Sequence, residues 1–521
     1  MVLGMPGGAL MKTFGCRTSV VTSAVVAVAL LGLAACSSST SKGSAPTPAS
    51  VTMTTAAVTT TTQPRPPGPA ADMAREINGG KGVFMGEASP PDLAKIGYVQ
   101  SEYFAAGTAT SYKQIGAITH DGRWKFAPDG TAPYRTRVVV RRPADPKAFS
   151  GTVIVEWLNV SGGIDADPDW TSLSEEIARK GDVWVGVSAQ RIGVEGGPVL
   201  VKVAGPGTDV AGKGLKTIDP ARYGSLVHPG DGFSFDIYTQ VARAVRAGAG
   251  LGGLQPAKLI AAGESQSAFA LVTYYNGVQP LTHAFDAFFV HSRGAVGLPL
   301  VGPGKYADIA GSIGGSSTIF RTDQPAPILD IQTETDVASI LDSYAARQPD
   351  SDRFRLWEVA GTAHADLHLV GPQSKYIDCG VPINNGPMHL VAKAALRALT
   401  DWVDTGTAPV IAPRIDVASG PSPTVVRNAD GIALGGIRTP PVDVPAAALS
   451  GAAGPNPSTI CLLLGSTKPF TAAQISQLYP SRAAYLARYN ADADKAIKAG
   501  FVLPEDRAAL LAFADPSLIP N

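Results

Sequence analysis

The sequence predicts an α/β fold in which helices flank a mostly parallel central sheet. Apolar runs of strand length alternate with segments of helical periodicity, a pattern typical of strands joined by crossover helices. The apolar runs are nearly continuous, as expected of strands that are buried on both faces. The chain has 521 residues, of which 45% are hydrophobic, so it can bury a large core.

The predicted elements follow in chain order. Two segments with alternating apolar residues, 98–112 and 134–143, predict antiparallel strands ahead of the parallel part. Buried strands are then predicted at 151–160, 182–190, 257–263, 283–292, 326–334 and 353–361. Helices are predicted at 170–181, 235–248 and 267–278. Two Gly- and Pro-rich insertions, at about 193–232 and 294–324, are longer than ordinary connections, so we expect cap-like structures over the carboxyl ends of the strands.

The first residues have the features of a bacterial lipoprotein signal peptide, which we assign to 1–35. Lys12 and Arg17 supply a positively charged start, a short apolar run follows, and small residues precede Cys36. An ordinary transmembrane anchor is the weaker alternative, because the run is short for a membrane span. We therefore expect a lipid on Cys36 that holds the protein in the cell envelope, on the outer face of the cytoplasmic membrane.

The next segment, 36–75, is rich in Ser, Thr and Pro. Such a composition cannot bury enough apolar surface to offset the entropy of ordering, so it predicts a tether between the membrane and the folded domain. The folded domain is expected to occupy 76–521. Translation can begin at Met1 or at Met11, because residues 1–10 add nothing that a signal peptide needs.

Charge and cysteine content narrow the function classes. Forty-three basic residues balance 43 acidic ones, so no strong field favours nucleic acid, and we expect no nucleic-acid partner. Two cysteines, Cys379 and Cys461, lie outside the signal region and are expected to form a disulfide in an exported domain. The seven histidines do not cluster and no H-E-x-x-H motif occurs, so we expect neither a metal site nor a cofactor.

A candidate nucleophile follows the predicted strand at 257–263. The stretch AAGESQSAFA resembles the G-x-S-x-G pattern of a sharp strand-to-helix turn that exposes a serine. Gly263 and Ser265 fit this pattern, whereas Ser267 stands where the second glycine is expected. A predicted helix follows directly, and this context makes Ser265 the candidate nucleophile.

A serine needs a base, and the base needs an acid that orients it. Asp336 follows one predicted strand and His364 follows the next, in the order serine, acid, histidine. Glu334 is the rival acid. Three histidines are rival bases: His283, His291 and His368. Glu264 abuts the nucleophile and is expected to orient the turn or a substrate.

Backbone N–H groups are expected to bind the oxyanion of an acyl-transfer reaction. The N–H of Gln266, directly after the candidate nucleophile, is the first expected donor. The loop LNVSGG after the first buried strand is expected to supply the second donor, from either Asn159 or Val160.

Several segments together resemble one bacterial family, often called the α/β hydrolase domain family 10. They are AAGESQSAFA, RLWEVAGTAHAD, CLLLGSTKPF, DPARYGSLVHPGDGFSFDIYTQ and LPEDRAALLAFA. The similarity spans most of the chain from about residue 80, which implies one large domain with the α/β-hydrolase fold. In that family a serine in place of the second glycine is usual, so the resemblance makes Ser267 compatible with the turn.

The resemblance and the residues lead to the same hypothesis. The expected activity is that of a serine hydrolase, a carboxylic ester hydrolase with a Ser-His-Asp triad and an acyl-enzyme, acting on a small-molecule or lipid ester. One alternative is an acyltransferase that uses the same triad. Another is a non-catalytic binding lipoprotein that retains the hydrolase fold.

Overall fold

The structure is a computed structural model, and it describes residues 64–519 apart from 88, 204 and 421. The predicted signal peptide, the lipid site at Cys36 and the predicted tether as far as residue 63 lie outside the described residues. The rest of the predicted tether does not extend freely. Ala71, Met73 and Ile77 are buried, and Asp72 and Glu76 form bridges with the first strand. The folded body therefore begins before the predicted boundary at residue 76.

The central sheet has eight strands, and every predicted strand is present in it. They are β1 (Tyr98–Gln114), β2 (Phe126–Pro143), β3 (Thr152–Trp157), β4 (Val183–Val187), β5 (Lys258–Glu264), β6 (Ala287–His291), β7 (Ile328–Thr333) and β8 (Phe354–Val359). The strand order is β1-β2-β4-β3-β5-β6-β7-β8. β2 pairs antiparallel with both of its neighbours, and the other adjacent pairs are parallel. The predicted mostly parallel sheet is confirmed, although β1 and β2 are longer than predicted.

The helices connect these strands or follow the sheet. They are α1 (Pro168–Lys180), α2 (Arg191–Glu195), α3 (Gly214–Ile218), α4 (Pro220–Tyr223), α5 (Ser234–Arg246), α6 (Gln266–Thr273), α7 (Gln279–Thr282), α8 (Glu334–Val337), α9 (Leu367–Val370), α10 (Met388–Thr405), α11 (Pro440–Asp443), α12 (Thr459–Leu463), α13 (Ala472–Leu478), α14 (Arg482–Lys498) and α15 (Arg507–Leu511). A π-helical turn, Tyr274–Val278, joins α6 to α7. Two small sheets pair β9 (Val417–Ala418) with β10 (Thr424–Val425) and β11 (Ala447–Ser450) with β12 (Ser466–Pro469).

The sheet is covered on both faces, as its apolar strands require. In β3, Val153 and Val155 pack in the core layer that contains α5 and α6, whereas Ile154 packs in the layer that contains α1 and α10. Successive strand residues point to opposite faces, so one apolar run serves both layers. Local signals place the ends of α1, since proline occupies its first position and Gly181 ends it in the left-handed conformation (φ 73°).

The two predicted insertions are attached to each other near the carboxyl ends of the strands. Asp231, at the end of the first insertion, accepts a hydrogen bond from the N–H of Arg191 (2.7 Å) and another from the N–H of Ala307 (2.8 Å) in the second. The first insertion includes the short helices α3 and α4. A buried carboxylate therefore holds both insertions in place over this end of the sheet.

The predicted disulfide between Cys379 and Cys461 is present, with Cα atoms 5.4 Å apart. It links the segment after α9 to α12, across 82 residues of sequence. None of the helices that the structure describes between residues 64 and 519 is long and apolar enough to cross a membrane.

Candidate active site

Ser265 lies at the tight turn between β5 and α6, as predicted. Its backbone is in a sterically restricted conformation for a residue with a side chain (φ 55°, ψ −121°). The N–H of Ser265 donates to the carbonyl of His291 at the end of the neighbouring strand β6 (2.9 Å). This bond anchors the turn to the sheet, and the side chain of Ser265 remains partly exposed.

The turn accommodates Ser267 because Gly263 has no side chain. A Cβ atom on Gly263 would lie 3.0 Å from both the Cβ and the carbonyl carbon of Ser267. Ser267 itself is fully buried, and its hydroxyl has no hydrogen-bond partner among the described residues. The close approach of strand and helix therefore depends on the first glycine of the pattern, and the second position tolerates a serine.

A chain of hydrogen bonds joins the three predicted site residues. The Nε2 atom of His364 lies 2.8 Å from the Oγ of Ser265, and its Nδ1 atom lies 2.7 Å from the Oδ1 of Asp336. His364 and Asp336 are buried. Asp336 and His364 follow β7 and β8, so parallel strands bring residues that are distant in sequence to one edge of the sheet.

Asp336 is held in a fixed orientation by the start of α8. Its Oδ2 accepts from the N–H of Thr333 (2.7 Å), while its own N–H donates to the Oγ1 of Thr333 (3.3 Å), forming a capping box. Burial alone would raise the pKa of Asp336, but the charge of His364 and the hydrogen bonds from His364 and Thr333 hold this pKa below its ordinary value. Asp336 therefore stays an ionised acceptor for the imidazole.

The rival acid, Glu334, has a different position. Its carboxylate accepts from the N–H groups of Gly361 and Gly451 (2.8 Å each) and pairs with Arg427 (2.5 Å). These contacts tie together the loops behind His364. None of these bonds is made to the imidazole of His364, so Glu334 stabilises the surrounding loops.

The rival histidines lie elsewhere. His291 bonds to Asp169 through its Nδ1 (2.9 Å), and its side chain is buried. His368 bonds to the carbonyl of Thr171 (3.1 Å), and His283 ends α7 with a positive φ of 45°. The hydrogen bond to Ser265 is made by His364.

Glu264 contributes a second carboxyl group to the site. Its Oε1 lies 3.4 Å from the Nε2 of His364, and its Oε2 lies 3.3 Å from the side-chain amide of Asn159. Burial raises the pKa of Glu264 to about 7, against the opposing effects of His364 and His291. The sequence placed Glu264 next to the nucleophile, but the contact with the histidine could not be read from it.

The predicted oxyanion loop is close to the turn, although its two alternatives differ. The N–H of Asn159 donates to the carbonyl of Ala166 (2.9 Å), so Asn159 is wrong as a backbone donor; its side-chain amide donates to the carbonyl of Glu264 (3.1 Å). The N–H of Val160 donates to the side-chain Oε1 of Gln266 (3.2 Å). The N–H of Gln266 itself is at the first position of α6, where an N–H has no acceptor within the helix.

A cavity of about 400 Å³ opens onto Ser265 and His364. Its lining is mostly apolar and comes mainly from residues 84–87, the loop after β3, the first insertion, α9 and α12. Its apolar side chains include Ile164, Val201, Leu369, Ile460 and Leu463. Within the described part of the chain, no group of three or more His, Cys, Asp or Glu side chains is arranged to hold a metal ion.

Three solved structures with recognisable similarity are hydrolases by name. Fungal esterases from Rhizomucor miehei match at 10% identity over 58% of this chain and 86% of theirs, with a TM-score of 0.29. Carboxyl esterase 2 from Tuber melanosporum matches at 12% identity over 56% of this chain and 88% of its own, with a TM-score of 0.26. A serine hydrolase without a lid from Xanthomonas campestris matches at 14% identity, 48% and 83% coverage, and a TM-score of 0.24.

Among curated proteins, none matches this sequence significantly. The family model described as alpha/beta hydrolase domain matches residues 62–512, which is most of the chain. The match includes the whole central sheet and the residues around Ser265, and it agrees with the resemblance found in the sequence. The chain therefore belongs to the α/β-hydrolase domain family.

Proposed function

We propose that this protein is a serine hydrolase that cleaves carboxylic esters. The observation that carries the proposal is the hydrogen-bond chain from Ser265 through His364 to Asp336, with 2.8 Å and 2.7 Å between the bonded atoms. The membership of the α/β-hydrolase family supports hydrolysis in general, and the chemistry of these three groups supports a serine nucleophile.

In the proposed mechanism, the Oγ of Ser265 attacks the ester carbonyl while Nε2 of His364 accepts the hydroxyl proton. The C–O bond to the alcohol then breaks, and the same nitrogen returns the proton to the leaving alkoxide. Water attacks the resulting acyl-enzyme by the same route and releases the acid. Asp336 keeps the Nδ1–H tautomer and stabilises the imidazolium in each half-reaction.

The oxyanion of each tetrahedral intermediate needs donors that are already in position. The N–H of Gln266 is the first proposed donor, because it directly follows the nucleophile and starts a helix. The N–H of Val160, the other predicted donor, donates to the side-chain oxygen of Gln266 at 3.2 Å, so it already has an acceptor, as the N–H of Asn159 does.

The substrate is proposed to be an uncharged ester with an apolar portion. The cavity at Ser265 is lined mainly by aliphatic side chains, and it contains no Lys or Arg among its lining residues in the described part of the chain. Its acidic residues are Glu87, Asp167 and Glu264, and Glu87 and Asp167 pair with Arg141, so the described lining offers no unpaired basic side chain to an anionic substrate. Burying aliphatic groups of the substrate provides the binding energy.

We further propose that the domain acts outside the cytoplasmic membrane, held there by a lipid on Cys36. The proposal is supported by the charged start, the short apolar run and the small residues before Cys36. A Cys36→Ser variant is expected to appear in the soluble fraction, whereas the wild-type protein sediments with membranes and is extracted by detergent. Equal sedimentation of both proteins would contradict the anchor.

Hydrolysis of p-nitrophenyl butyrate tests the proposed activity. The protein used is the soluble domain, that is, the chain without residues 1–36. Replacing Ser265 or His364 with alanine is expected to lower kcat by about 10³-fold or more, because either change breaks the hydrogen-bond chain. Ser267→Ala is the matched control, since this serine is two residues from Ser265 and its hydroxyl has no hydrogen-bond partner among the described residues. Equal activity of wild type and Ser265→Ala would refute the proposal.

A further inference from the structure

A second, smaller cavity lies behind the turn that carries Ser265. Its volume is about 200 Å³, and both insertions enclose it, through residues 198–200 and 306–310. Most of its lining is apolar, including Ile192, Leu200 and Ile309. The nucleophile and the base of the proposed reaction, Ser265 and His364, do not line this cavity.

The two cavities are adjacent, and a thin wall of protein separates them. In three segments of this wall, two consecutive residues line different cavities. In each pair the first residue lines the larger cavity and the second lines the smaller one: Asn159 and Val160, Val201 and Leu200, and Ser265 and Gln266. Ser161 lines both cavities, and its carbonyl accepts from the N–H groups of Leu200 (3.0 Å) and Val201 (2.9 Å). Backbone bonds therefore fix most of this wall.

The side chain of Gln266 closes the remaining part of the wall. Its Oε1 accepts from the N–H of Val160 (3.2 Å), and its Nε2 donates to the Oε1 of Gln190. The same Gln190 oxygen accepts from the indole N–H of Trp157 (2.9 Å). Gln266 is only 3% exposed, so these bonds hold its amide in one orientation. Unlike the backbone around it, this closure can be removed by one substitution.

We propose that Gln266 is the specificity-determining residue of this site: its side chain separates the smaller cavity from the larger one and so limits the length of the acyl group that Ser265 accepts. The inference rests on the proposed ester hydrolysis. With the side chain present, a long acyl group ends at the wall. Without it, the chain extends past Val160 into the apolar space beneath the two insertions.

The ratio of kcat/KM for p-nitrophenyl decanoate to that for p-nitrophenyl butyrate tests this inference. Gln266→Ala is expected to raise the ratio at least about tenfold, because each additional buried methylene contributes a factor of about four. Gln266→Met keeps the length of the side chain but not its hydrogen bonds, and it is expected to keep the wild-type ratio. An equal rise in both variants would overturn the proposal, since the blocking volume would then not be the cause.

Filling the smaller cavity provides the second arm. Ala310 lies at the exposed rim of this cavity, and Ala310→Trp places an indole within reach of it. In the Gln266→Ala background this change is expected to return the ratio to the wild-type value; a ratio that stays high would overturn the proposal, because the added chain length would then be bound elsewhere.

An unchanged ratio in Gln266→Ala, in a protein that hydrolyses the butyrate, refutes the inference alone. Failure of the wild type to hydrolyse either ester refutes the inference and the proposed function together.

Discussion

The Oε1 atom of Glu264 lies 3.4 Å from the Nε2 atom of His364, the same nitrogen that bonds to Ser265. His364 thus has a carboxyl group near each of its ring nitrogens, because Asp336 bonds to Nδ1 at 2.7 Å. Burial alone would lower the pKa of His364, but the charges of Asp336 and Glu264 and the hydrogen bond to Asp336 raise this pKa above its ordinary value.

This arrangement predicts the pH dependence of hydrolysis. The proposed base acts only when His364 is neutral, so kcat/KM is expected to fall as the pH drops through its raised pKa, with a midpoint above 6.5. Glu264→Gln removes one of the negative charges that favour the imidazolium, and it is expected to shift the midpoint to lower pH. The measurement is the pH profile of kcat/KM for p-nitrophenyl butyrate in both proteins. A shift to higher pH in the variant would contradict the described electrostatics.

Asp336 and Glu334 are two residues apart in sequence, but we expect substitution of Asp336 to lower mainly the activity and substitution of Glu334 to lower mainly the stability. Asp336→Asn disturbs the imidazole tautomer and is expected to lower kcat on the order of 10⁴-fold with little loss of stability. Glu334→Gln weakens the ion pair with Arg427 and the bonds from Gly361 and Gly451, so it is expected to destabilise the fold by about 1–3 kcal/mol. Its kcat is expected to fall far less. Thermal unfolding and steady-state kinetics on both variants separate the two roles. A large loss of kcat in Glu334→Gln and a small one in Asp336→Asn would make Glu334 the triad acid instead.

Substitutions at Ser267 and Gly263, the two small residues of the turn, are expected to differ strongly in their effect on kcat. Ser267→Gly is expected to retain most activity and to cost less than about 1 kcal/mol of stability, as glycine does within a helix. Gly263→Ala brings a Cβ atom to 3.0 Å from Ser267 and is expected to displace Ser265, with a loss of about 10²-fold in kcat. The measurement is the steady-state kinetics of both variants, under conditions in which the same fraction of each protein is folded. A large loss of kcat in Ser267→Gly would reveal a role for its hydroxyl.

The disulfide is predicted to stabilise one wall of the substrate cavity. Cys461 follows Ile460, which lines the cavity, and the carbonyl of nearby Leu463 accepts from the N–H of Ala365 next to His364 (3.0 Å). Replacing both Cys379 and Cys461 with serine is expected to lower the free energy of unfolding by about 2–4 kcal/mol. An increase in KM is also expected, because the cavity wall loses its cross-link. A denaturation midpoint and KM equal to those of the wild type would refute this role.

Much of this fold could be predicted because its strands carry strong local signals. A strand such as β3, which is buried on both faces, appears in the sequence as one continuous apolar run. The same strands place Ser265, Asp336 and His364 at one edge, so their order in the chain was sufficient to nominate them. The end of β1 was missed because Lys113 and Gln114 are polar, and the start of β2 was missed because Pro128, Asp129 and Pro133 are typical of turns.

The contacts that refine the site could not be predicted in the same way. The side chain of Gln266 bonds to Val160 and Gln190, which are more than 70 residues away in sequence. The N–H of Asn159 was an expected oxyanion donor, but a bridge to Ala166 across the loop uses it. Such bonds depend on side-chain orientation and loop path, for which a single sequence contains no periodic signal.

Covalent labelling tests most directly whether Ser265 is the nucleophile of a hydrolase. An alkyl fluorophosphonate is incubated with the wild-type soluble domain and with the Ser265→Ala and Ser267→Ala variants, and the intact masses and proteolytic peptides are measured. We expect one phosphonyl group per molecule in wild type and Ser267→Ala, located at Ser265, and none in Ser265→Ala. Absence of labelling in the wild type, or labelling of Ser265→Ala at the same rate, would contradict the role of Ser265 as the nucleophile.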